Sequence, residues 1–219
     1  MGRCSSQGRS ARLCGTVTAP LRLPRIRVVA VTQVAYEVEG WGVGELVVAD
    51  ARVVWHELPW PRAGRPPRDR AARPQDPSQT PTHPGLGAGA VVSQKASSGD
   101  RGFVAEVVQM LQAYFAGEQV PLGAVPVDLA YQTRFLTSCA AALRTVPRGE
   151  VVTYGELAAL AGAPGAARAA GSFCARSHLS IFVPCHRVVS AGGLGPYGSY
   201  GTEYKRRLLD LEGHELASK

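Results

Sequence analysis

The spacing of apolar residues changes once along this chain, and a proline-rich stretch sits at the change. Between Ile26 and Leu58 the apolar residues come in short runs rich in Val, Tyr and Trp: "RIRVVAVTQVAYEVEG", "GELVVAD" and "RVVWHEL". Breaks at Gly40–Gly44 and at Ala49-Asp50-Ala51 give these runs the pattern of an antiparallel meander. From Phe103 onward the spacing is helical, with Val107, Met110, Leu111, Tyr114 and Phe115 on one face. A second helix follows with Phe135, Leu136, Cys139 and Leu143 on one side, and Pro147 ends it. Cys139 is most simply a core residue of that helix. Strands first and helices after predict an α+β chain.

The stretch between the two patterns, 59–101, holds eight prolines by Pro84 among many Arg, Ser and Gly. Such a composition buries too little apolar surface to order itself, so it predicts a flexible insertion. The net charge of +7 suggests nucleic acid until it is divided along the chain. Residues 1–25 carry +5, 26–58 carry −3, 59–101 carry +4 and 102–219 carry +1, so the excess lies outside the patterned segments. A DNA footprint, if present, must be local. Residues 1–25 contain five arginines, no acid and no apolar core for a signal peptide, and read as a disordered basic leader. No apolar stretch nears the roughly 18 residues that span a bilayer. Five cysteines at irregular spacings (Cys4, Cys14, Cys139, Cys174 and Cys185) fit neither a disulfide framework nor a zinc site, which predicts a reducing, cytoplasmic setting.

Two further segments carry chemistry. In "VVTYGELAALAG", Thr153 and Glu156 form a capping box that opens a short helix ending at Gly162. "APG" then makes a turn into "AARAAGSFCARS", so the pair is either plain packing or a helix-turn-helix. The second helix begins almost bare, with Arg168 its one long cation, and so could approach a partner closely. After it, "LSIFVPCHRVV" predicts a buried strand or extended segment leading into Cys185.

An interior cysteine needs no chemistry, but one beside a base is a candidate nucleophile. Neighbours in an extended segment point to opposite faces, so Cys185 and His186 need a local turn, for which Pro184 is suggestive, or a bridging water. A carboxylate should orient the imidazole, and Glu212 at the end of "TEYKRRLLDLEG" is either that group or a solvated helix-end acid.

The motif "PCHRV" resembles the active-site motif of the O6-alkylguanine-DNA alkyltransferases, the methylated-DNA–protein-cysteine methyltransferases. The resemblance runs from about Phe103 to Gly213, through "VPRGEVVTYGELA", "GAPGAARAAG", "IFVPCHRVV" and "YKRRLLDLEG". It implies an N-terminal domain, 26–130, of ribonuclease-H-like topology. It also implies a C-terminal DNA-binding domain, 131–219, with a winged-helix-like helix-turn-helix. Cys185 would accept the alkyl group once and irreversibly. His186 would act as its base through water, Glu212 would orient His186, and Tyr154 would help extrude the nucleotide and protonate the departing guanine. Arg168 would fill the gap in the stack, with Ala167, Ala169 and Gly171 against a minor groove about 6 Å wide. Val183, Pro184 and Val188 would wall the alkylated base, and an ungapped count puts Ser199 at a base-binding hydroxyl. The partner implied is double-stranded DNA bearing an alkylated guanine, bound by a monomer with no metal, cofactor or membrane.

The sequence departs from the family pattern at several positions. Ser177-His178 stand in place of Asn-Pro, Arg148 in place of an aromatic residue, and Ala140 in place of a tryptophan. The loop "GGLGPYGSYG" carries Tyr197 and Tyr200 in an unusual spacing. Three other readings remain: a lesion-binding relative without transfer, which would carry tryptophan where Cys185 stands; a thiol hydrolase; and a helix-turn-helix regulator, which would leave "PCHRVV" unexplained.

Overall fold

The structure, a computed structural model, describes residues 29–61, 92–93, 98–129 and 133–214. Three antiparallel strands come first: β1 (Val29–Val38), β2 (Gly42–Ala49) and β3 (Arg52–Trp60). A short β4 (Val92–Ser93) pairs parallel to β1, so the sheet order is β3-β2-β1-β4. The turn from β2 to β3 uses Asp50 and Ala51, both at positive φ (50° and 53°), the geometry that suits the twist of a two-residue hairpin. At the first turn, Gly42 is required for space, because a Cβ there would lie 2.2 Å from the Trp60 carbonyl oxygen.

Helix α1 (Ser98–Phe115) lays Val104, Val107, Leu111, Tyr114 and Phe115 on the sheet, as the sequence spacing predicts. It begins five residues earlier than Phe103, and β3 extends to Trp60. Both ends of the 59–101 segment therefore lie inside elements: Asp100 accepts a hydrogen bond from the Ala51 amide (3.0 Å), and Trp60 stacks on Tyr204 (ring centroids 5.5 Å apart). The interior of that segment, 62–91, and the leader lie outside the described residues, as does the boundary at 130/131.

Helix α2 (Arg134–Leu143) is capped by Thr133 and buries Cys139, Ala140 and Leu143. Strand β5 (Val152–Thr153) leads into α3 (Tyr154–Leu160), where the capping box forms: Glu156 N donates to Thr153 Oγ1 (3.2 Å) and Thr153 N to Glu156 Oε2 (2.6 Å). Helix α4 (Ala167–Arg176) packs against α3 and α2. Strand β6 (Val188–Val189) pairs parallel to β5, and α5 (Gly201–Leu211) ends the described fold. The aromatic cluster of Trp41, Trp60, Phe115, Tyr200 and Tyr204 ties α5 to the sheet. The Tyr204 hydroxyl donates to the Pro59 carbonyl (2.7 Å). One buried core thus includes residues of both halves of the chain.

The outer edge of β3 is not left open. Val53 exchanges backbone hydrogen bonds with Pro126 and Asp128, and His56 N donates to His178 O (2.8 Å). Covering an edge strand satisfies its amides and carbonyls. Here it also anchors the segment that runs into Cys185.

Candidate active site

The segment before Cys185 is not the strand that its β-branched composition predicts. Ile181 takes φ 73°, rare for a β-branched residue, and the chain folds back so that Val183 N bonds Leu179 O (2.8 Å). Pro184, at φ −76° and ψ 66°, then forms an inverse γ-turn closed by Cys185 N and Val183 O (2.7 Å). A single 3₁₀ turn, Cys185–Arg187, follows directly. Proline favours this φ, and consecutive tight turns replace the alternation of a strand. Cys185 and His186 are therefore presented from a turn, as coupling them requires.

The turn directs the two side chains to different ends of the site. His186 is fully buried, and its Nε2 donates to Glu212 Oε1 (2.9 Å). Its Nδ1 is buried without a hydrogen-bond partner among the described residues. With the proton on Nε2, Nδ1 is a free acceptor, the state a base needs. Burial holds the His186 pKa below its ordinary value, against the hydrogen bond and charge of Glu212, so the ring rests neutral.

Glu212 caps the C-terminus of α5, buried rather than solvated. Its carboxylate also accepts from Tyr114 Oη (2.6 Å), Arg187 Nε (2.8 Å) and Arg187 Nη2 (2.8 Å). Burial opposes the charge, but the hydrogen bonds from His186 and Arg187 and the charge of Arg187 outweigh it, so the group is held well below the usual carboxylate range.

Cys185 is 5% exposed and opens onto a cavity of about 480 Å³ that reaches across to β3. Its thiol is shifted toward the thiolate: the neighbouring Cys174 thiol lowers the pKa most, burial opposes, and Ser177 and the charge of Lys205 add to the lowering. The Ser177 hydroxyl is otherwise buried without a partner among the described residues. Lys205 is buried, with Nζ donating to Val188 O (2.6 Å) and Leu194 O (2.5 Å), and burial lowers its pKa to about 8.

The cavity walls differ from the expected ones. Val183 and Val188 are packed into the core, and Pro184 lines a separate small cavity beside Tyr114. The turn at 184–187 rotates these side chains away from the face that Cys185 presents. The lining comes instead from Trp55 and His56 of β3, Ser177 and His178 after α4, and Tyr197 to Tyr200. Ser199 is at its rim, exposed. The Tyr197 hydroxyl is buried without a partner among the described residues.

Tyr154 is half-buried at the start of α3, over Gly171, whose Cβ position lies 3.8 Å from the Tyr154 ring. Burial, then the charges of Cys174 and Cys185, raise its pKa, so its proton stays available. Arg168 is fully on the surface of α4, beside exposed Ala169 and half-buried Ala167. The site thus gathers Cys185, His186 and Glu212, with Tyr154 close by and Arg168 on an outer face.

Two departures from the family pattern have structural answers. Where Asn-Pro is absent, His178 stacks on Trp55 (5.1 Å, 12°) and its carbonyl binds His56, so β3 ties down this segment. Arg148 donates to the carbonyls of Gly117, Glu118 and Leu211 and lies over the Tyr114 ring (5.3 Å). It joins the ends of α1 and α5 beside Glu212.

Tyr114, Arg187 and Lys205 were not singled out as site residues by sequence. Lys205 had a legible signal, because it shares a helix face with Leu208, Leu209 and Glu212. Tyr114 had none beyond its inward position.

Among the described residues no group of three or more His, Cys, Asp or Glu could hold a metal ion, and no helix is long and apolar enough to cross a membrane. Residues 134–214 match the family model described as the 6-O-methylguanine DNA methyltransferase, DNA binding domain. The methylated-DNA–protein-cysteine methyltransferase of Mycobacterium leprae is 47% identical over 118 residues, 53% of this chain and 70% of that protein. The solved structure of the Mycobacterium tuberculosis OGT in complex with DNA superposes with a TM-score of 0.57 at 30% identity, covering 84% of this chain and 92% of the other. A second structure, of the Mycobacterium tuberculosis O6-methylguanine methyltransferase, gives 0.57 at 31% identity, covering 87% and 97%. Identity at this level over most of each relative, with a family model that spans the Cys185 turn, places the chain in the methylated-DNA–protein-cysteine methyltransferase family.

Proposed function

We infer that the protein repairs DNA by transferring an alkyl group from O6 of guanine to Cys185, once per molecule. The observation that carries this reading is the thiol of Cys185 at the floor of a cavity, with a neutral His186 behind it held by Glu212. Attack by the Cys185 thiolate forms a C–S bond to the alkyl carbon as the bond from that carbon to O6 breaks. His186 Nδ1 takes the thiol proton through one water, and Glu212, held ionised by Arg187, stabilises the imidazolium that results. Tyr154 supplies a proton toward the departing guanine. The thioether is not hydrolysed, so the protein is consumed.

A stacked guanine cannot present O6 to a buried sulfur, so the nucleotide must leave the duplex. The cavity is large enough for a base, and its aromatic and hydroxyl lining can stack on and hydrogen-bond one. The exposed face of α4, with Ala169 and Ser172 after Arg168, is low enough to enter a minor groove, leaving Arg168 to fill the vacated stack. The reading extends to a monomer acting on alkylated duplex DNA in the cytoplasm. The β3-β2-β1-β4 order with β4 parallel supports a ribonuclease-H-like first half. The β5–β6 pair beside α3 and α4 supports a winged-helix-like second half.

Incubation with duplex DNA carrying a labelled O6-methylguanine tests the reading. Label should become covalent at Cys185, at most one per molecule, and Cys185→Ala should take up none while still binding the DNA. Label on the alanine variant would sink the assignment.

A further inference from the structure

The mechanism of transfer leaves one thiol unused. Cys174, in the last turn of α4, lines the same cavity as Cys185. Cys139, the third free cysteine among the described residues, is fully buried in α2 and does not line that cavity. Two thiols lining one cavity, one of them reactive, are the parts of an oxidation site with its own resolving cysteine. We propose that Cys174 and Cys185 close to a reversible disulfide when a hydroperoxide enters the cavity, which caps the acceptor sulfur without consuming it.

The chemistry balances in two steps. The Cys185 thiolate attacks the peroxide oxygen and the O–O bond breaks. The leaving oxygen takes a proton and departs as alcohol or water, and Cys185 becomes a sulfenic acid. Cys174 then attacks that sulfur. The S–S bond forms, the S–O bond breaks, and the hydroxide leaves as water with the Cys174 proton. Two thiols have lost two electrons to one hydroperoxide, and two external thiols, or one dithiol, return them and become a disulfide.

At rest the Cys174 proton is held strongly, first by its interaction with Cys185, then by burial and by the charge on Cys185. Once Cys185 is a neutral sulfenic acid, its charge no longer holds the Cys174 proton, so oxidation of Cys185 eases the attack by Cys174. Ser177, directly after α4, starts the segment that runs to Cys185, so the disulfide would close a loop of that segment and lock α4 to the active-site turn.

The proposal rests on Cys185 being the reactive thiol, but its first readout does not require alkyl transfer. The full-length protein is treated with limiting hydrogen peroxide, then denatured in an alkylating agent and weighed. The expected product lacks the alkylation labels of Cys174 and Cys185 and holds both residues in one linked peptide. Dithiothreitol should restore most of the transfer rate of the untreated protein. In Cys174→Ser, each rate taken relative to that variant's own untreated rate, the same exposure should leave Cys185 about 32 Da heavier as sulfinic acid. Recovery there should be at least about fivefold poorer. A Cys139→Ser variant should behave like the parent.

Oxygen added to Cys185 of the parent without an S–S bond, a bond to Cys139 or between two molecules, or equal recovery in Cys174→Ser would each overturn the proposal. Label uptake by the reduced protein separately tests transfer, so either reading can fail alone.

Discussion

Arg187 clasps both oxygens of Glu212, with Nε to Oε2 at 2.8 Å and Nη2 to Oε1 at 2.8 Å. The guanidinium fork matches the carboxylate plane, and Nη1 is anchored on the Val146 carbonyl (2.6 Å). This clasp keeps Glu212 ionised where burial opposes its charge, and so keeps the acceptor for His186 in place. Lysine carries the charge but not the fork. Arg187→Lys should therefore lose a charge-assisted hydrogen bond, costing roughly 1.5–3 kcal/mol in stability as read by urea unfolding.

Glu212→Gln acts on chemistry as well as on stability. It removes the anion that stabilises the imidazolium and leaves the Arg187 charge unbalanced. Transfer to Cys185 should slow at least about tenfold, toward the scale of a lost acid–base partner. Single-turnover rates at saturating DNA measure this. An unchanged rate would return Glu212 to a purely structural role.

His56 gives a pH prediction with a definite sign. It is fully buried, with Nε2 accepting from Tyr36 Oη (2.6 Å) and Nδ1 donating to Ser180 O (2.6 Å). Burial lowers its pKa to about 4, against the hydrogen bond that it donates to Ser180 O. The unfolded chain protonates His56 near 6.5, whereas the fold resists until about 4, so below 6.5 the unfolded state binds more protons. The contribution is whole above pH 6.5 and is lost as pH falls from there toward 4. Its full size is roughly 3 kcal/mol. Urea midpoints should fall more steeply between pH 7.5 and 5 for the parent than for His56→Gln. Parallel slopes would show that His56 already titrates in the fold.

Ala51 sits at φ 53° in the β2–β3 turn, where an L side chain is strained. Its amide bond to Asp100 survives replacement by glycine. Ala51→Gly should gain roughly 0.5–1 kcal/mol and raise Tm by about 2 °C. A lower Tm would mean that the entropy of glycine in the unfolded chain outweighs the relief.

The meander, the capping box at Thr153 and the inward face of α1 were legible because each depends on residues near one another in sequence. The extended reading before Cys185 failed for a long-range reason. Hydrogen bonds from β3 hold this segment at His178, and Ile181 at positive φ turns it back, which no local propensity encodes. The Glu212 carboxylate was legible only as one of two options. What decides between them is Arg187 beside the motif and Tyr114 about a hundred residues away in sequence. The cavity wall was misread because Val183 and Val188 look like lining when Cys185 is taken as part of a strand.

Arg168 projects from the N-terminal turn of α4, exposed, six residues before Cys174 and clear of the His186–Glu212 pair. If it occupies the gap left by the extruded nucleotide, Arg168→Ala should slow repair of duplex DNA far more than transfer from a free O6-alkylguanine base. The free base needs no extrusion, and the variant keeps Cys185, His186 and Glu212 in place. Unstacking costs a few kcal/mol, so losing even about 1.4 kcal/mol of compensation means about tenfold in rate. An arginine that only contacts phosphate predicts otherwise: its defect shrinks at low salt and disappears at saturating DNA. A defect that persists at saturating duplex and is absent with the free base supports insertion into the stack. Equal slowing with both substrates would show that Arg168 holds the site together, and its role in extrusion would have to be dropped.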